Sequence, residues 1–552
     1  MRKRFIVLTA MACLFAGQVS AQWNKNATPV QIFDASGEGD YYGSSPEFKR
    51  TTDGKTWMSY KIWKNDENGQ SKVSTYLQLL DADGNKVFAD PGILVNDYNT
   101  PTWWSYNGLA VTSDGCAVVT VADSRSEKFD SALGRYLAFQ PAIYKIDQEG
   151  NFLWGLDGIT YPEFQKAPFT DVYVIGDDIY FQFTEVEGAV PGAGTGPQSA
   201  AKLVGEQPAR VEEGAMGTFT MRYSLDGVPA WDDLKQFGGQ MAPSFGSDFL
   251  LVGGGSNGAQ VQRYNRDLEP VWNEPVTFDS YSCTAHDLHP YKIAPDGNGG
   301  VAVAFVREMG KYSHNIRLQY INGDGELGFG LTGIDTYADE EYDHDYCGVA
   351  LNPETKEIVV DWEDQLGTLY TTTVGKYNYY GDRLWGDYGI HLGEKQSQTG
   401  YAYQRIGCAP LPGGDWMVVY CDVQGWADMS IVFKRLDKDG NEVWKKNVGR
   451  SIDVVDPALF VESDCTYLFW RENSGSRTGI NAVRIFNDGT FTTGIEDVMS
   501  ETNAEPMEYY TVDGKKLASP QRGLNIVKYT DGSTRKVVLN VSSMKYKCLK
   551  IW

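Results

Sequence analysis

Short stretches of alternating apolar and polar residues recur along almost the whole chain, and turn clusters rich in Asp, Gly and Pro precede many of them. Alternation with a period of two predicts β-strands, and glycine supplies the positive φ that tight turns need. The clearest stretches lie at 56–63, 116–122, 179–183, 249–252, 301–305, 358–362, 416–421 and 465–470. The pattern therefore predicts an all-β chain of sequential antiparallel strands.

A second pattern runs in phase with the first, because a turn residue is followed four positions later by a large ring. The turn positions are Gly84, Gly150, Gly227, Leu268, Gly325, Gly381, Gly440 and Gly489, and the residues four positions on are Phe88, Trp154, Trp231, Trp272, Phe329, Trp385, Trp444 and Thr493. Repeats of about 40–50 residues or more that hold several short strands are typical of propeller blades. We expect an eight-bladed β-propeller over 28–498. Seven blades plus an irregular hairpin is the alternative, because the last unit lacks its ring and the fourth is short.

The repeated ring has a structural role in this interpretation. Blades pack face to face, and a ring on each outer hairpin fills the gap to the neighbouring blade. The short strand near 28–33 precedes the first full repeat, and we expect it to pair into the last blade and close the ring of blades. The segment 188–217, rich in Gly, Pro and Ala, is predicted to be a long loop.

The start of the chain indicates export. Residues 1–21 combine a basic start at Arg2-Lys3-Arg4, an apolar stretch and small residues at the predicted cleavage point, which is typical of a secretory signal peptide. No later apolar run reaches the length that spans a bilayer, so we expect no membrane span. The net charge of −24 disfavours nucleic acid and anionic membrane as partners.

The cysteines do not form a regular framework. Apart from Cys13 in the leader, they are Cys116, Cys283, Cys347, Cys408, Cys421, Cys465 and Cys548. An odd number without regular spacing argues against a set of disulfides. Cys408 and Cys421 flank one predicted hairpin, so a disulfide between them stays open at this point.

The predicted connections into the innermost strands are rich in rings. Exposed rings on a rigid scaffold suit sugar binding, because a flat ring covers the apolar face of a pyranose while nearby polar groups bond its hydroxyls. The alternative is that these rings pack under their own loops. The candidate ligand-binding residues are Trp103, Trp104, Tyr106, Tyr291, Tyr342, Tyr346, Tyr401 and Tyr403.

Two further clusters in these connections contain residues that could carry chemistry. Cys283, His286 and His289 have a spacing that suits zinc, but they come from one short segment. The acidic run 339–345, which contains His344, could hold a cation or supply a general acid and base. Polar loop surface is the simpler interpretation of both, so we predict no metal and no cofactor, and the catalytic residues, if any, stay unknown.

The C-terminal segment resembles a known sorting tail. A polar linker at 499–506 leads to Tyr509-Tyr510, Asp513-Gly514-Lys515-Lys516, Pro520, Arg522-Gly523, Asp531-Gly532 and the final Lys536-Val537 strand. This pattern is similar to the C-terminal tail of secreted Bacteroidetes proteins that use type IX secretion. The resemblance implies a small antiparallel β unit at 507–540 that engages the export machinery. Residues 541–552 form an extension that this type of tail does not usually have.

The repeats contain motifs such as Leu153-Trp154-Gly155 and Leu384-Trp385-Gly386. In these motifs they resemble propeller-like regions of secreted Bacteroidetes proteins. The resemblance implies fold and export but no activity. We therefore expect a secreted or outer-surface protein, or a periplasmic one if the tail is not functional. Its expected function is that of a binding scaffold for a glycan or a protein. The alternatives are a glycan-active hydrolase or lyase with carboxylates near the central channel, and a purely structural surface protein; on balance we expect no enzyme.

Overall fold

The regular elements of the described residues are all β-strands. A computed structural model describes residues 23, 29–34, 44–65, 71–96, 98, 107–125, 129–130, 135–136, 139–185, 217–255, 258–278, 291–310, 313–337, 343–366, 369–392, 396–397, 405–425, 428–451, 454–474, 477–491, 506–511, 514–519, 521, 523–529 and 534–539. In its first half the strands are β1 (Val30–Asp34), β2 (Ser44–Arg50), β3 (Thr56–Asn65), β4 (Ser71–Leu80), β5 (Ile93–Leu94), β6 (Leu109–Val111), β7 (Ala117–Asp123), β8 (Phe129–Asp130), β9 (Arg135–Tyr136), β10 (Gln140–Ile146), β11 (Ile159–Thr160), β12 (Phe169–Ile175), β13 (Asp178–Glu185), β14 (Gly217–Tyr223), β15 (Gln240–Pro243), β16 (Phe249–Gly255), β17 (Gly258–Tyr264) and β18 (Val276–Phe278).

The second half continues in the same style, with many hairpin-connected strands. These strands are β19 (Tyr291–Pro295), β20 (Val301–Gly310), β21 (Ser313–Ile321), β22 (Ile334–Asp335), β23 (Asp343–Asn352), β24 (Glu357–Leu366), β25 (Leu369–Asn378), β26 (Ile390–His391), β27 (Gln396–Ser397), β28 (Arg405–Pro410), β29 (Trp416–Gly425), β30 (Asp428–Leu436), β31 (Glu442–Ser451), β32 (Val455–Val461), β33 (Cys465–Ser474), β34 (Arg477–Phe486), β35 (Pro506–Tyr510), β36 (Lys516–Leu517), β37 (Gly523–Tyr529) and β38 (Thr534–Leu539).

Neighbouring strands within each sheet pair in antiparallel fashion, and most of them are consecutive in the chain. The resulting sheets have the orders β2-β3-β4-β5, β6-β7-β10-β11, β12-β13-β14, β15-β16-β17-β18, β19-β20-β21-β22, β23-β24-β25-β26, β28-β29-β30-β31 and β32-β33-β34-β1. Up-and-down sheets of about four strands are the unit from which β-propellers are built.

The first strand of each of these sheets lies at the centre. Each first strand contacts the first strand of the next sheet, in the cyclic series β2, β6, β12, β15, β19, β23, β28, β32 and back to β2. Apolar cores lie between consecutive sheets, so that every sheet buries both faces. For example, Trp57 of β3 packs with Val119 of β7, and Phe469 of β33 packs with Met58 of β3. The chain thus folds as a β-propeller.

The N-terminal strand completes the last sheet, as the sequence predicts. β1 pairs antiparallel with β34, with Val30 opposite Ala482 and Asp34 opposite Gly479. The N-terminal strand therefore covers the outer edge of β34 and links the two ends of the repeat region.

The repeated ring packs onto the turn of the following sheet. A Cβ on Gly227 would come within 2.8 Å of the Trp154 indole, and one on Gly325 within 2.9 Å of Trp272. The indole nitrogen of Trp272 also donates to the carbonyl of Gly323, at 2.9 Å. The expected gap-filling role is confirmed. Leu268 adopts the turn conformation that glycine takes elsewhere, with a φ of 66°.

Several remaining predictions meet the structure only in part. Strands β35 to β38 form a sheet of their own, in the order β36-β35-β37-β38.

Cys408 and Cys421 are both free thiols, so the disulfide that the sequence left open between them is not formed. The signal peptide, Thr493 and the loop 188–216 lie outside the described residues. In the described part of the chain we find no helical segment with the length and hydropathy that a membrane-crossing helix requires.

Candidate functional site

One face of the propeller carries the links between consecutive sheets. Because strands alternate in direction, the hairpins between second and third strands and the links between sheets leave from the same end of each sheet, which we call the loop face. The tight glycine turns, such as those at Gly54 and Gly84, lie on the opposite turn face. Residues at the loop-face ends of strands are therefore the ones that a ligand on this face would meet.

The structure describes two of the candidate ring residues. Tyr291 is buried, with 8% exposure, and its ring lies edge-on to Phe305, 6.4 Å between centroids. Tyr346 is 38% exposed at a β-bulge between Asp345 and Cys347, with a φ of 46°. A bulge re-aims a side chain, and a tyrosine in the left-handed region is uncommon outside such sites.

The other candidate rings lie outside the described residues, and their ligand role stays a prediction. They are Trp103, Trp104, Tyr106, Tyr342, Tyr401 and Tyr403. The same holds for Cys283, His286 and His289. Among the described side chains, no group of three or more His, Cys, Asp or Glu residues is arranged to hold a metal ion.

A buried carboxylate with two histidines lies at the loop-face end of the β23–β26 sheet. We call Asp364, His344, Thr373 and His391 the Asp364 cluster. His344 stands opposite Asp364 in the strand register, and Thr373 stands opposite His391. Nδ1 of His344 lies 2.6 Å from Oδ1 of Asp364, and the Trp362 indole nitrogen donates to the same oxygen at 2.6 Å.

The second carboxylate oxygen of Asp364 contacts the residues on the exposed side of the cluster. The Thr373 hydroxyl donates to Oδ2 of Asp364. Nδ1 of His391 lies 2.8 Å from the Thr373 hydroxyl and 3.4 Å from Oδ2. Asp364 and His344 side chains are 1% exposed, whereas that of His391 is 39% exposed. The cluster thus connects a buried charge to the loop face.

The carboxyl group of Asp364 is ionised in this setting. Burial alone raises the pKa of Asp364, but hydrogen bonds from His344, His391 and Thr373 outweigh it and hold the pKa at about 2. An ionised carboxylate only accepts hydrogen bonds. Each neighbour must therefore direct a proton towards it.

Tyrosine rings enclose the cluster. Tyr337, in the link from β22 to β23, is 5% exposed and lies 4.7 Å from the His344 ring, between centroids. Its ring centroid also lies 5.2 Å from that of Tyr388, 6.3 Å from that of Trp362 and 6.4 Å from that of His391. Tyr388 is 50% exposed. An exposed ring and an exposed imidazole therefore flank one buried tyrosine.

A second constellation lies at the loop-face end of the first two sheets, and we call it the Arg125 patch. Nη2 of Arg125 donates to Asp123 at 2.8 Å and to the Tyr144 hydroxyl at 2.6 Å. Nη1 donates to the carbonyl of Asp157 at 2.8 Å. The Tyr98 ring, 37% exposed, lies over the guanidinium at 4.7 Å. The cation–π contact fixes one face of Tyr98 and leaves part of the ring to solvent.

Carboxylates near the central strands are paired within the protein. The Arg405 guanidinium, on β28, donates through Nε to buried Asp361, and the Cys408 thiol lies 3.2 Å from the other oxygen of that carboxylate. Glu363 accepts from the backbone nitrogen of Arg405 at 3.3 Å. Burial raises the pKa of the Cys408 thiol, as does the neighbouring Asp361. These groups form an internal network between two sheets.

Sequence reasoning singled out His344, as part of the acidic run 339–345, but missed its partners. Asp364 and His391 are 20 and 47 positions further on, and only strand register brings them together. Two signals were present. The chain has only five histidines, and Asp364 lies two positions after the apolar stretch 358–362.

Comparison with known proteins gives structural resemblance alone. No family model matches the chain, and no curated protein matches it. Among solved structures, polysaccharide lyase Uly1 is 10% identical, with 81% of this chain and 90% of that chain covered and a TM-score of 0.33. The β-propeller domain of the Trilobed protease from Pyrococcus furiosus is 8% identical, with 75% and 97% covered and a TM-score of 0.35.

A third resemblance is of the same kind. The Dos1 propeller is 9% identical, with 80% of this chain and 93% of that chain covered and a TM-score of 0.34. At such scores the fold assignment rests on the strand pairing and the cyclic contacts of this chain itself.

Proposed function

We propose that this chain is an exported binding scaffold built on an eight-bladed propeller, and that its ligand docks on the loop face. The cyclic order of first strands supports the blade count. The predicted signal peptide and the resemblance of the tail support export to the outer surface or the medium. The ligand is a glycan or a protein.

One observation carries the binding proposal. Tyr388 is half exposed and His391 is 39% exposed, although both are anchored on their inner sides by Tyr337 and the Asp364 cluster. Side chains that are fixed by packing lose little conformational entropy when a ligand binds. The Arg125 patch presents Tyr98 in the same way.

A glycan array probed with the full mature chain tests this proposal. We expect retention of at least one glycan class, and weaker retention after Tyr388→Ala or after combined Trp103→Ala and Trp104→Ala. The matched control is Tyr380→Ala, because Tyr380 is 86% exposed at a turn on the opposite face. Binding that persists in all loop-face variants would contradict the proposed location.

The alternative of a glycan-active enzyme has one observation in its favour. Asp364 is ionised and orients an exposed histidine, which is how a general base is positioned. Incubating each bound glycan with the protein and analysing the products separates the alternatives. New products would favour a hydrolase or lyase, whereas unchanged glycan favours the scaffold. No glycan binding at all would leave a protein ligand or a structural role.

A further inference from the structure

The hydrogen bonds of the Asp364 cluster fix the tautomer of His391. The Thr373 hydroxyl has one proton, and it donates that proton to the ionised carboxylate of Asp364. The hydroxyl oxygen can then only accept from Nδ1 of His391, 2.8 Å away. Nδ1 therefore carries a proton, and in the neutral ring Nε2 carries a lone pair.

That lone pair faces away from the cluster. Nδ1 and Nε2 lie on different edges of the imidazole, and the Nδ1 edge is turned towards Thr373 and Asp364. The side chain of His391 is 39% exposed. Within the described part of the chain, it contacts Thr373, Asp364 and the Tyr337 ring. Nε2 is thus a fixed hydrogen-bond acceptor on the loop face.

The charges around this acceptor disfavour acidic ligands. Among the described residues, the titratable groups in contact with His391 are the carboxylate of Asp364 and the phenol of Tyr337, and the imidazole of His344 contacts both of these groups. On the preceding segment, Asp387 stands next to Tyr388. The whole chain carries a net charge of −24. A ligand that carries carboxylate or sulfate groups meets repulsion here, whereas an uncharged hydroxyl does not.

We propose that His391 and Tyr388 form a subsite for an uncharged sugar unit. One hydroxyl of the sugar donates to Nε2 of His391, and the apolar face of the ligand lies on the Tyr388 ring. The subsite rests on the proposed binding function and narrows it to neutral, hydroxyl-rich glycans. Thr373 and Asp364 are positioning residues, because they act through His391.

Affinity electrophoresis of the full mature chain in gels that contain a soluble polysaccharide tests the subsite. The neutral probes are galactomannan, xyloglucan and dextran, and polygalacturonate is the acidic probe. We expect at least one neutral probe to retard the protein at about pH 8, and polygalacturonate not to do so. His391→Ala should weaken the retardation by roughly three- to tenfold, the range of one hydrogen bond. Tyr388→Ala should also weaken it, because the ring contact with the sugar is lost. Tyr380→Ala is the matched control and should behave as the native chain.

The tautomer of His391 supplies a readout that a merely structural role would not predict. Nitrogen NMR of ¹⁵N-histidine-labelled protein should show the Nδ1–H tautomer for His391. In Thr373→Val, which lacks the hydroxyl that accepts from Nδ1, the preference for this tautomer should weaken.

The outcomes separate the subsite from the wider proposal. Neutral-glycan binding that is unchanged in His391→Ala and Tyr388→Ala overturns the subsite and leaves the scaffold standing. An Nε2–H tautomer in the native protein also overturns it. Retardation by polygalacturonate alone contradicts the assigned ligand class. Absence of retardation by every probe overturns glycan binding as a whole.

Discussion

The indole of Trp23 lies on Gly84, so closely that a Cβ on that glycine would come within 2.8 Å of the ring. The Trp23 indole nitrogen donates to the carbonyl of Ala82 at 2.8 Å, two residues before the turn glycine. Trp444 makes the equivalent bond to Asn487, two residues before Gly489. Trp23 thus supplies to the first sheet the ring that Thr493 of the last repeat lacks.

Removal of that ring should destabilise the whole propeller. Trp23 is 3% exposed and packs edge-on against Tyr467 and Phe469 of the last sheet. We expect Trp23→Ala to lower the free energy of unfolding by about 3–5 kcal/mol, measured by denaturant titration. Val443→Ala, at a position that is 51% exposed on an outer strand, is the control and should change it little. If Trp23→Ala lowered the free energy of unfolding as little as the control does, the indole would not be needed for the stability of the last sheet.

Gly348 should not tolerate a side chain, although its backbone is ordinary. A Cβ there would lie 2.1 Å from Nη2 of Arg405 and 2.7 Å from Asp361. Alanine would separate the ion pair and leave the buried Asp361 carboxylate uncompensated, at a cost of roughly 3–5 kcal/mol. Thermal unfolding should show Gly348→Ala to be far less stable than Gly479→Ala, whose Cβ would meet its nearest atoms only at 3.2 Å. Equal melting temperatures would exclude this steric explanation.

Asp364 should make stability depend on pH in the acidic range. Its folded pKa of about 2 lies below the ordinary value of 3.8, so its contribution is complete above about pH 4 and disappears as the pH falls towards 2. Asp364→Asn should therefore cost about 2–4 kcal/mol at pH 7 and much less near pH 2. Unfolding titrations of both proteins at the two pH values measure the difference. Asp439→Asn, with a side chain 64% exposed, should differ little from the native chain at either pH. If Asp364→Asn lowered the free energy of unfolding equally at both pH values, the effect would come from altered packing and not from the lost charge of Asp364.

Arg125 should not be replaceable by lysine. Its guanidinium contacts Asp123, Tyr144 and the Asp157 carbonyl at the same time and lies under the Tyr98 ring. The ammonium group of lysine is a single point of charge and cannot reproduce this fork. We expect Arg125→Lys to lose about 1–3 kcal/mol and Arg125→Ala more, since the Asp123 side chain is 0% exposed. Calorimetry measures both, and a fully stable Arg125→Lys would show that charge alone suffices.

Local patterning predicted the strands, and strand register determined the site. The apolar alternation at 358–362 and the turn at Gly381 are each defined by a few consecutive residues, so each can be located from the sequence alone. Trp23 was missed because no turn residue stands four positions before it; that position is Val19, in the predicted signal peptide. His391 was missed because its contact with Asp364 depends on two strand pairings at once. Side-chain partners across several strands are not encoded in a single sequence window.

The pairing of β1 with β34 also decides how the propeller would respond to tension. Val30, at the beginning of β1, stands opposite Ala482 in β34, so the start of β1 and the C-terminal part of β34 lie at the same end of the ladder. Force applied between the two ends of the chain would therefore load the hydrogen bonds of this ladder one after another, as in a zipper, and not all together in shear. If one end of the chain were attached to a surface and the other end were pulled, the propeller would open first between β1 and β34.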